Sequence, residues 1–150
     1  MPFVLSNRSL SKLEGVDPSL VEVVKKAIEY TKVDFAVTEG LRSVERQKEL
    51  VAAGRSQTMA SKHIEGRAID VVAYVNSDIS WELNLYDDIC DAMAKAAREV
   101  GVAIKWGAAW SEGDIRTYPI SAEAAMNSYI DLRRSQDRRP FIDSPHFELM

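Results

Sequence analysis

The chain has little cysteine and histidine and no long apolar run. Cys90 is the single cysteine in 150 residues, so no intrachain disulfide can form. It lies in an apolar-periodic stretch, which indicates a buried small side chain rather than a nucleophile. No stretch approaches the ~18 apolar residues of a membrane span, and the N-terminus lacks the pattern of a secretory signal. We therefore expect a protein made in a reducing cytosol, without a membrane anchor.

Positive charge is not in excess either. The chain carries 19 lysines and arginines against 23 aspartates and glutamates, a net charge of −4, and the two signs are mixed along it. A broad basic surface for nucleic acid or for an anionic membrane is therefore not expected. The one dense basic cluster, within residues 133–139, is interrupted by aspartates and is typical of a solvated helix face.

Length and patterning predict one α+β domain. A chain of 150 residues, 46% of them hydrophobic, is typical of a single globular domain. Helices are predicted after an Asp17 cap, over 44–53 after a Ser43 cap, over about 81–100 and over about 121–134. Strands are predicted over 33–38, 68–75 and 102–106 and at 147–149, with loops at 55–66 and 107–119. Short strands alternating with helices indicate a compact domain, residues 1–150, with a small, mostly antiparallel sheet flanked by helices.

The two histidines lie where loops meet predicted strands, each with a carboxylate nearby. His63 precedes Asp70, and His146 follows Asp143. A catalytic zinc ion takes three protein ligands, imidazole or carboxylate, and leaves one position for water. His63, Asp70 and His146 would supply that set if the strands converge, with Asp143 as the base that activates the water. The spacing alone also fits a satisfied core or surface histidine at each position.

Two motifs resemble the signature of the M15 zinc metallopeptidases: Ser61-x-His63-x-x-Gly66-x-Ala68-x-Asp70, and Asp143-x-Pro145-His146-Phe147, with Trp106-Gly107 between them. That family includes D-alanyl-D-alanine carboxypeptidases and the L-alanyl-D-glutamate endopeptidases of phage lysis systems. The resemblance runs from about residue 38 to residue 149. It implies zinc ligands at His63, Asp70 and His146, a catalytic Asp143, and Arg42 at the oxyanion of the tetrahedral state.

The resemblance also implies supporting and substrate-binding residues. Gln47 matches a family position near the site, and Ser61 would either orient substrate or bond the loop backbone. Trp106 and Trp110 would either wall a cleft, with Trp106 binding substrate, or belong to the core. The chain departs from the family at Leu41, where an aromatic is frequent. It also departs in Trp-Gly-Ala-Ala-Trp at 106–110, where the family commonly has Trp-Gly-Gly-Asp-Trp, so the substrate contacts of that loop are expected to differ.

Within the resemblance, small size and the lack of a signal favour a phage endolysin. Such an enzyme would be stored in the host cytoplasm and would act in the periplasm and cell wall after a holin opens the membrane. It is expected to be a monomer without a separate wall-binding domain. It would cleave the peptidoglycan stem peptide between L-alanine and D-glutamate. A D-alanyl-D-alanine carboxypeptidase shares every ligand and is the nearest alternative. A non-catalytic metal-binding or interaction module on the same fold is the alternative from another class, and a nucleic-acid binder is disfavoured by the charge.

Overall fold

The computed structural model describes residues 2–56 and 61–150. Its helices are α1 (Asn7–Lys12), α2 (Pro18–Tyr30), α3 (Val44–Ala52), α4 (Leu83–Val100) and α5 (Ala122–Ser135). Its strands are β1 (Asp34–Glu39), β2 (Ala68–Val75), β3 (Asp78–Ser80), β4 (Ile104–Trp106) and β5 (His146–Leu149). Single-turn 3-10 helices cover Trp110–Glu112 and Ile115–Thr117, inside the predicted loop 107–119. Part of the other predicted loop, residues 57–60, lies outside the described residues.

The strands form one antiparallel sheet in the order β1-β2-β5-β4, and β3 pairs with the end of β2. Because β2 pairs with β1 on one edge and with β5 and β3 on the other, it is the central strand of the sheet. This arrangement confirms the predicted α+β class and the antiparallel sheet. It also places the strand that follows the first histidine motif directly beside the strand that begins at His146.

One apolar core joins the sheet to helices α2 and α4. The buried residues of α4 include small alanines at 92, 96 and 97, and α2 packs against this helix. Cys90 is fully buried on the same helix, as its apolar surroundings predicted. None of the described helices is long and apolar enough to cross a membrane.

The predicted helix ends are confirmed by their capping contacts. The Asp17, Ser43 and Ser121 side chains each accept a backbone N–H in the first turn of α2, α3 and α5. Gly101 ends α4 with φ 84°, a left-handed conformation that glycine adopts without the Cβ penalty. Local sequence therefore sets where these helices begin and end.

Two short elements, α1 and β3, were not predicted. Helix α1 lacks an apolar stripe and depends on a tertiary contact, because the buried Ser9 hydroxyl accepts the Val37 N–H of β1 at 3.0 Å. Strand β3 follows a two-residue turn in which Asn76 and Ser77 have φ 51° and 70°. Glycine is the usual sequence signal for such a turn, and without it the sequence analysis did not predict the hairpin.

Candidate metal centre

Three acidic or imidazole side chains lie in a row across the sheet. Asp70 of β2 is the register partner of His146 on β5, and on its other side it is the partner of Glu39 on β1. Directly opposed residues present their side chains on the same face. A register shift between Val37 and Glu39 brings Glu39, rather than Thr38, opposite Asp70. The pairing of three strands therefore assembles this row.

His63 reaches the row from the turn that precedes β2. The turn is held by the Arg42 N–H, which donates to the His63 carbonyl at 2.8 Å. It closes at Gly66, whose φ of 70° and contact with the Gly15 carbonyl leave no room for a Cβ. The buried His63 ring places Nδ1 2.9 Å from the Gly40 carbonyl oxygen. Because a carbonyl only accepts, Nδ1 carries a proton, and in the neutral ring Nε2 keeps its lone pair.

The lone pair of His63 points into a cluster suited to a cation. Nε2 is buried, makes no hydrogen bond to any described residue, and lies 3.3 Å from Asp70 Oδ2. His63, Asp70 and His146 each offer a ligand atom, and all these atoms lie within 4.8 Å of one another. Burial alone would raise the pKa of Asp70, but the two imidazoles beside it hold that pKa well below its usual range. An ionised carboxylate beside two imidazoles fits a divalent metal ion.

His146 is oriented by carboxylates on both sides of its ring. Its Nδ1 lies 3.1 Å from Asp70 Oδ1, and its Nε2 lies 2.8 Å from Glu148 Oε1. Burial opposes the charged ring, but Asp70 and Glu148 raise the pKa of His146 to about 9. Nδ1 is therefore the nitrogen placed to share an ion with Asp70, and Glu148 would receive the other N–H, as carboxylates beside metal-bound histidines usually do.

Asp143 lies in the turn that leads into β5. Its carbonyl accepts the His146 N–H at 3.0 Å, and its own N–H donates to the Gly107 carbonyl at 2.8 Å. A Cβ at Gly107 would lie 2.2 Å from the Asp143 carbonyl oxygen, so only glycine permits this approach. Burial, with a smaller contribution from Asp70, raises the pKa of Asp143. The structure thus places a carboxyl of increased basicity beside the cluster.

Arg42 is buried, and each of the three nitrogens of its guanidinium donates a short hydrogen bond. Nε and one terminal nitrogen bind the Glu39 carboxylate at 2.7 and 2.6 Å. The other terminal nitrogen donates to Gln47 Oε1 at 2.7 Å. Contacts to Ser61 Oγ and to Asp70 Oδ2 are longer, 3.5 Å each. Glu39 and Gln47 therefore fix the orientation of the guanidinium, while its weakly bonded edge is the one nearest the ion cluster.

A cavity of about 590 Å³ connects these groups, and its lining includes Arg42, Ser61, His63, Asp70, Asp143 and His146. Ser61 Oγ also accepts the His63 N–H at 3.2 Å, so both of its expected roles are compatible with its position. Gln47 is fully buried behind Arg42 and does not line the cavity, which makes it a supporting residue.

Trp106 requires a correction, because the structure places it in the core. It is 0% exposed, and its indole N–H donates to the Ser144 carbonyl at 2.8 Å. A side chain without exposed surface does not contact substrate, and Trp106 instead supports the turn between Asp143 and His146. Trp110 lines the cavity, stacked on Phe141 with ring centroids 6.2 Å apart.

Sequence reasoning missed Glu39 and Glu148, which hold Arg42 and His146. Glu148 had a usable signal, because it follows His146 by two residues in a predicted strand and so shares its face. Glu39 had none, since only the irregular register of β1 brings it opposite Asp70.

A family model matches the whole chain, and two curated phage proteins match most of it. The family model described as phage L-alanyl-D-glutamate peptidase matches residues 1–150. The L-alanyl-D-glutamate peptidase of Escherichia phage T5 is 33% identical over 115 residues, which are 74% of this chain and 84% of that protein. The peptidase of the same name from Listeria phage A118 is 27% identical over 108 residues, 70% of this chain, and the match spans 37% of that longer protein.

A solved structure shares the fold. The crystal structure of the Serratia marcescens L-Ala D-Glu endopeptidase ChiX superposes with a TM-score of 0.73 at 37% sequence identity. The match covers 98% of this chain and 90% of that one.

Proposed function

Because the chain belongs to the phage L-alanyl-D-glutamate peptidase family, we propose that it is a zinc-dependent peptidoglycan hydrolase that cuts the stem peptide between L-alanine and D-glutamate. One observation supports this most strongly: a buried His63 lone pair without a hydrogen-bond partner among the described residues faces Asp70, within reach of His146. Asp143 and Arg42 line the same cavity. The cluster thus combines metal-binding and catalytic groups at one surface opening.

We propose that His63, Asp70 and His146 hold the metal. Two imidazoles and one carboxylate match the ligand set of catalytic zinc sites, which keep one position open. When bound, zinc would act as a Lewis acid on the scissile carbonyl and lower the pKa of a water to about 7. Other divalent ions bind the same ligand types, so the choice of zinc rests on the match between these ligands and known zinc sites. Metal analysis of the purified protein tests which ion is bound.

Asp143 is the proposed general base and then the general acid. Its buried surroundings raise its pKa, which makes the carboxylate a better acceptor for the proton of the attacking water. The same proton then passes to the leaving amine of D-glutamate, so the C–N bond breaks without expelling an amide anion. The contact between Gly107 and the Asp143 turn holds this carboxyl in position.

Arg42 is the proposed stabiliser of the developing oxyanion. Its bonds to Glu39 use the edge formed by Nε and one terminal nitrogen, and the other terminal nitrogen donates to Gln47. The edge between the two terminal nitrogens makes only the 3.5 Å contacts to Ser61 and Asp70, which leaves it for a substrate oxygen. A preorganised donor of this kind typically contributes 10²–10³-fold to kcat, about 3–4 kcal/mol. The two hydrogen bonds to Glu39 hold the Arg42 guanidinium in this position before substrate binds.

The proposed biological setting follows from the phage relatives. We propose that residues 1–150 form one catalytic domain that accumulates as a monomer in the host cytoplasm and reaches the cell wall once a holin opens the membrane. Size-exclusion chromatography with light scattering tests the monomer, and fractionation of lysing cells with and without the holin tests the release.

Digestion of defined peptidoglycan fragments, with and without a chelator, tests the activity. New D-glutamate amino termini by mass spectrometry, lost with the chelator and restored by zinc, are expected. Release of terminal D-alanine instead would identify a carboxypeptidase. Absence of any product from zinc-loaded protein would leave a non-catalytic metal-binding module and contradict the proposal.

A further inference from the structure

The substrate cavity contains three cations, and two of them are already neutralised. Arg42 is paired with Glu39 through two short hydrogen bonds. Lys62 Nζ lies 3.2 Å from Glu148 Oε2 and donates to the Leu149 carbonyl. Arg55 also lines the cavity, and within residues 2–56 and 61–150 its guanidinium contacts no carboxylate and no carbonyl oxygen.

The backbone of Arg55 is anchored at the wall of the cavity. Gly54, with φ 74°, ends helix α3, and the Arg55 N–H then donates to the Leu50 carbonyl at 2.8 Å. The backbone is therefore anchored to the helix, whereas the residue itself is exposed. The side chain therefore starts from an anchored backbone position, and its guanidinium donors stay available for a planar anion.

The proposed substrate supplies such an anion next to the scissile bond. A glutamate residue within a peptide keeps one carboxyl group outside the chain, whichever of its two carboxyl groups carries the next residue. In an L-alanyl-D-glutamate sequence this free group lies on the residue whose amine leaves. The cavity also holds Asp70 and Asp143, whose charges would repel the substrate carboxylate unless a cation bound it.

We propose that Arg55 binds the free carboxylate of D-glutamate and makes the enzyme selective for stem peptides in which this group is ionised rather than amidated. This inference rests on the proposed function. Arg42 does not fill the role, because its charge is paired with Glu39 and its remaining edge is the one proposed to bind the oxyanion. A guanidinium can meet a carboxylate with two parallel hydrogen bonds, which a neutral carboxamide does not reproduce.

Two matched peptides test the proposal. Both are N-acetyl-L-alanyl-D-glutamyl-L-lysine joined through the glutamate side chain, one with a free α-carboxylate and one with an α-carboxamide. Zinc-loaded wild type should show kcat/KM about tenfold higher on the carboxylate, the scale of one charge-assisted hydrogen bond at a partly exposed site. Arg55→Ala should lose that preference, mainly through KM, and cleave the carboxamide as wild type does.

Arg46→Ala is the matched control, because Arg46 is an exposed arginine of α3 that pairs with Glu49 and lies outside this cavity. It should cleave both peptides like wild type. Equal wild-type rates on the two peptides, or an equal loss on both in Arg55→Ala, would overturn the role of Arg55. Should the short peptides be poor substrates, their inhibition constants against cleavage of peptidoglycan fragments give the same comparison. Failure of the proposed function is distinct, since wild type would then release no D-glutamate amino terminus from any substrate.

Discussion

The Glu39–Arg42 pair gives a prediction that needs no ligand. Glu39→Gln keeps the size of the side chain but removes the charge opposite Arg42, a residue that is 8% exposed. Removing one partner of a fully buried pair costs about 3–5 kcal/mol, and exposed pairs cost about 0–1 kcal/mol. Because the Glu39 side chain is 29% exposed, we expect a loss between these limits, about 2 kcal/mol. For a domain of this size that loss lowers Tm by roughly 4–8 °C.

Thermal and urea unfolding of the metal-free protein measure this loss, since zinc would add its own stabilisation. The matched control is Glu49→Gln, which breaks the Arg46–Glu49 pair, with side chains 49% and 68% exposed. The control should change stability by less than about 0.5 kcal/mol. Glu39→Gln should also lower kcat, because Arg42 loses its fixed orientation. Equal, small losses in the two variants would refute the view that Glu39 holds Arg42 in place.

Three further predictions test other parts of the molecule. Asp143→Ala should retain zinc but lose about 10²–10⁴-fold in kcat, as expected for a general base; near-complete turnover with a full metal complement would exclude that role. Gly107→Ala should destabilise the fold by about 1–3 kcal/mol through overpacking, because the new Cβ would meet the Asp143 carbonyl at 2.2 Å; an unchanged urea midpoint would contradict this. Burial, and to a smaller extent the carboxylates of Glu123, Asp91 and Asp88, raises the pKa of Asp87 from 3.8 to about 6. The folded state therefore keeps this proton to a higher pH than the unfolded state does. The free energy of unfolding consequently falls as the pH rises between these two values. Asp87→Asn should therefore be more stable than wild type at pH 8, by up to about 3 kcal/mol, and the gain should disappear near pH 4; a gain independent of pH in urea unfolding would contradict the titration.

Local sequence patterns were sufficient to predict most of the fold. The Asp17, Ser43 and Ser121 caps and the left-handed Gly101 are short-range signals, and the structure has helix ends at each of them. Helix α1 and strand β3 were not predicted, because the contacts that stabilise them are tertiary. Ser9 of α1 contacts β1, and β3 pairs with β2. Periodicity is informative only where an element carries its own apolar face.

The residues of the candidate site likewise fall into those that local motifs predicted and those that depend on tertiary structure. Two histidines and two aspartates in recognisable motifs led to the cluster that the structure brings together. The role of Trp106 was wrong because sequence does not distinguish a tryptophan in a cavity wall from one in the core behind it. Glu39 depends on a register irregularity between two strands, which no local pattern in the chain encodes.

Zinc binding by the metal-free protein tests the central claim most directly. Isothermal titration of wild type should give one tightly bound zinc ion per chain. Asp70→Ala should abolish that binding, and Glu148→Gln, which removes the carboxylate that faces His146 Nε2 and Lys62 but keeps all three ligands, should weaken it by about 10–100-fold. Unchanged affinity and stoichiometry in Asp70→Ala would contradict a metal centre formed by His63, Asp70 and His146.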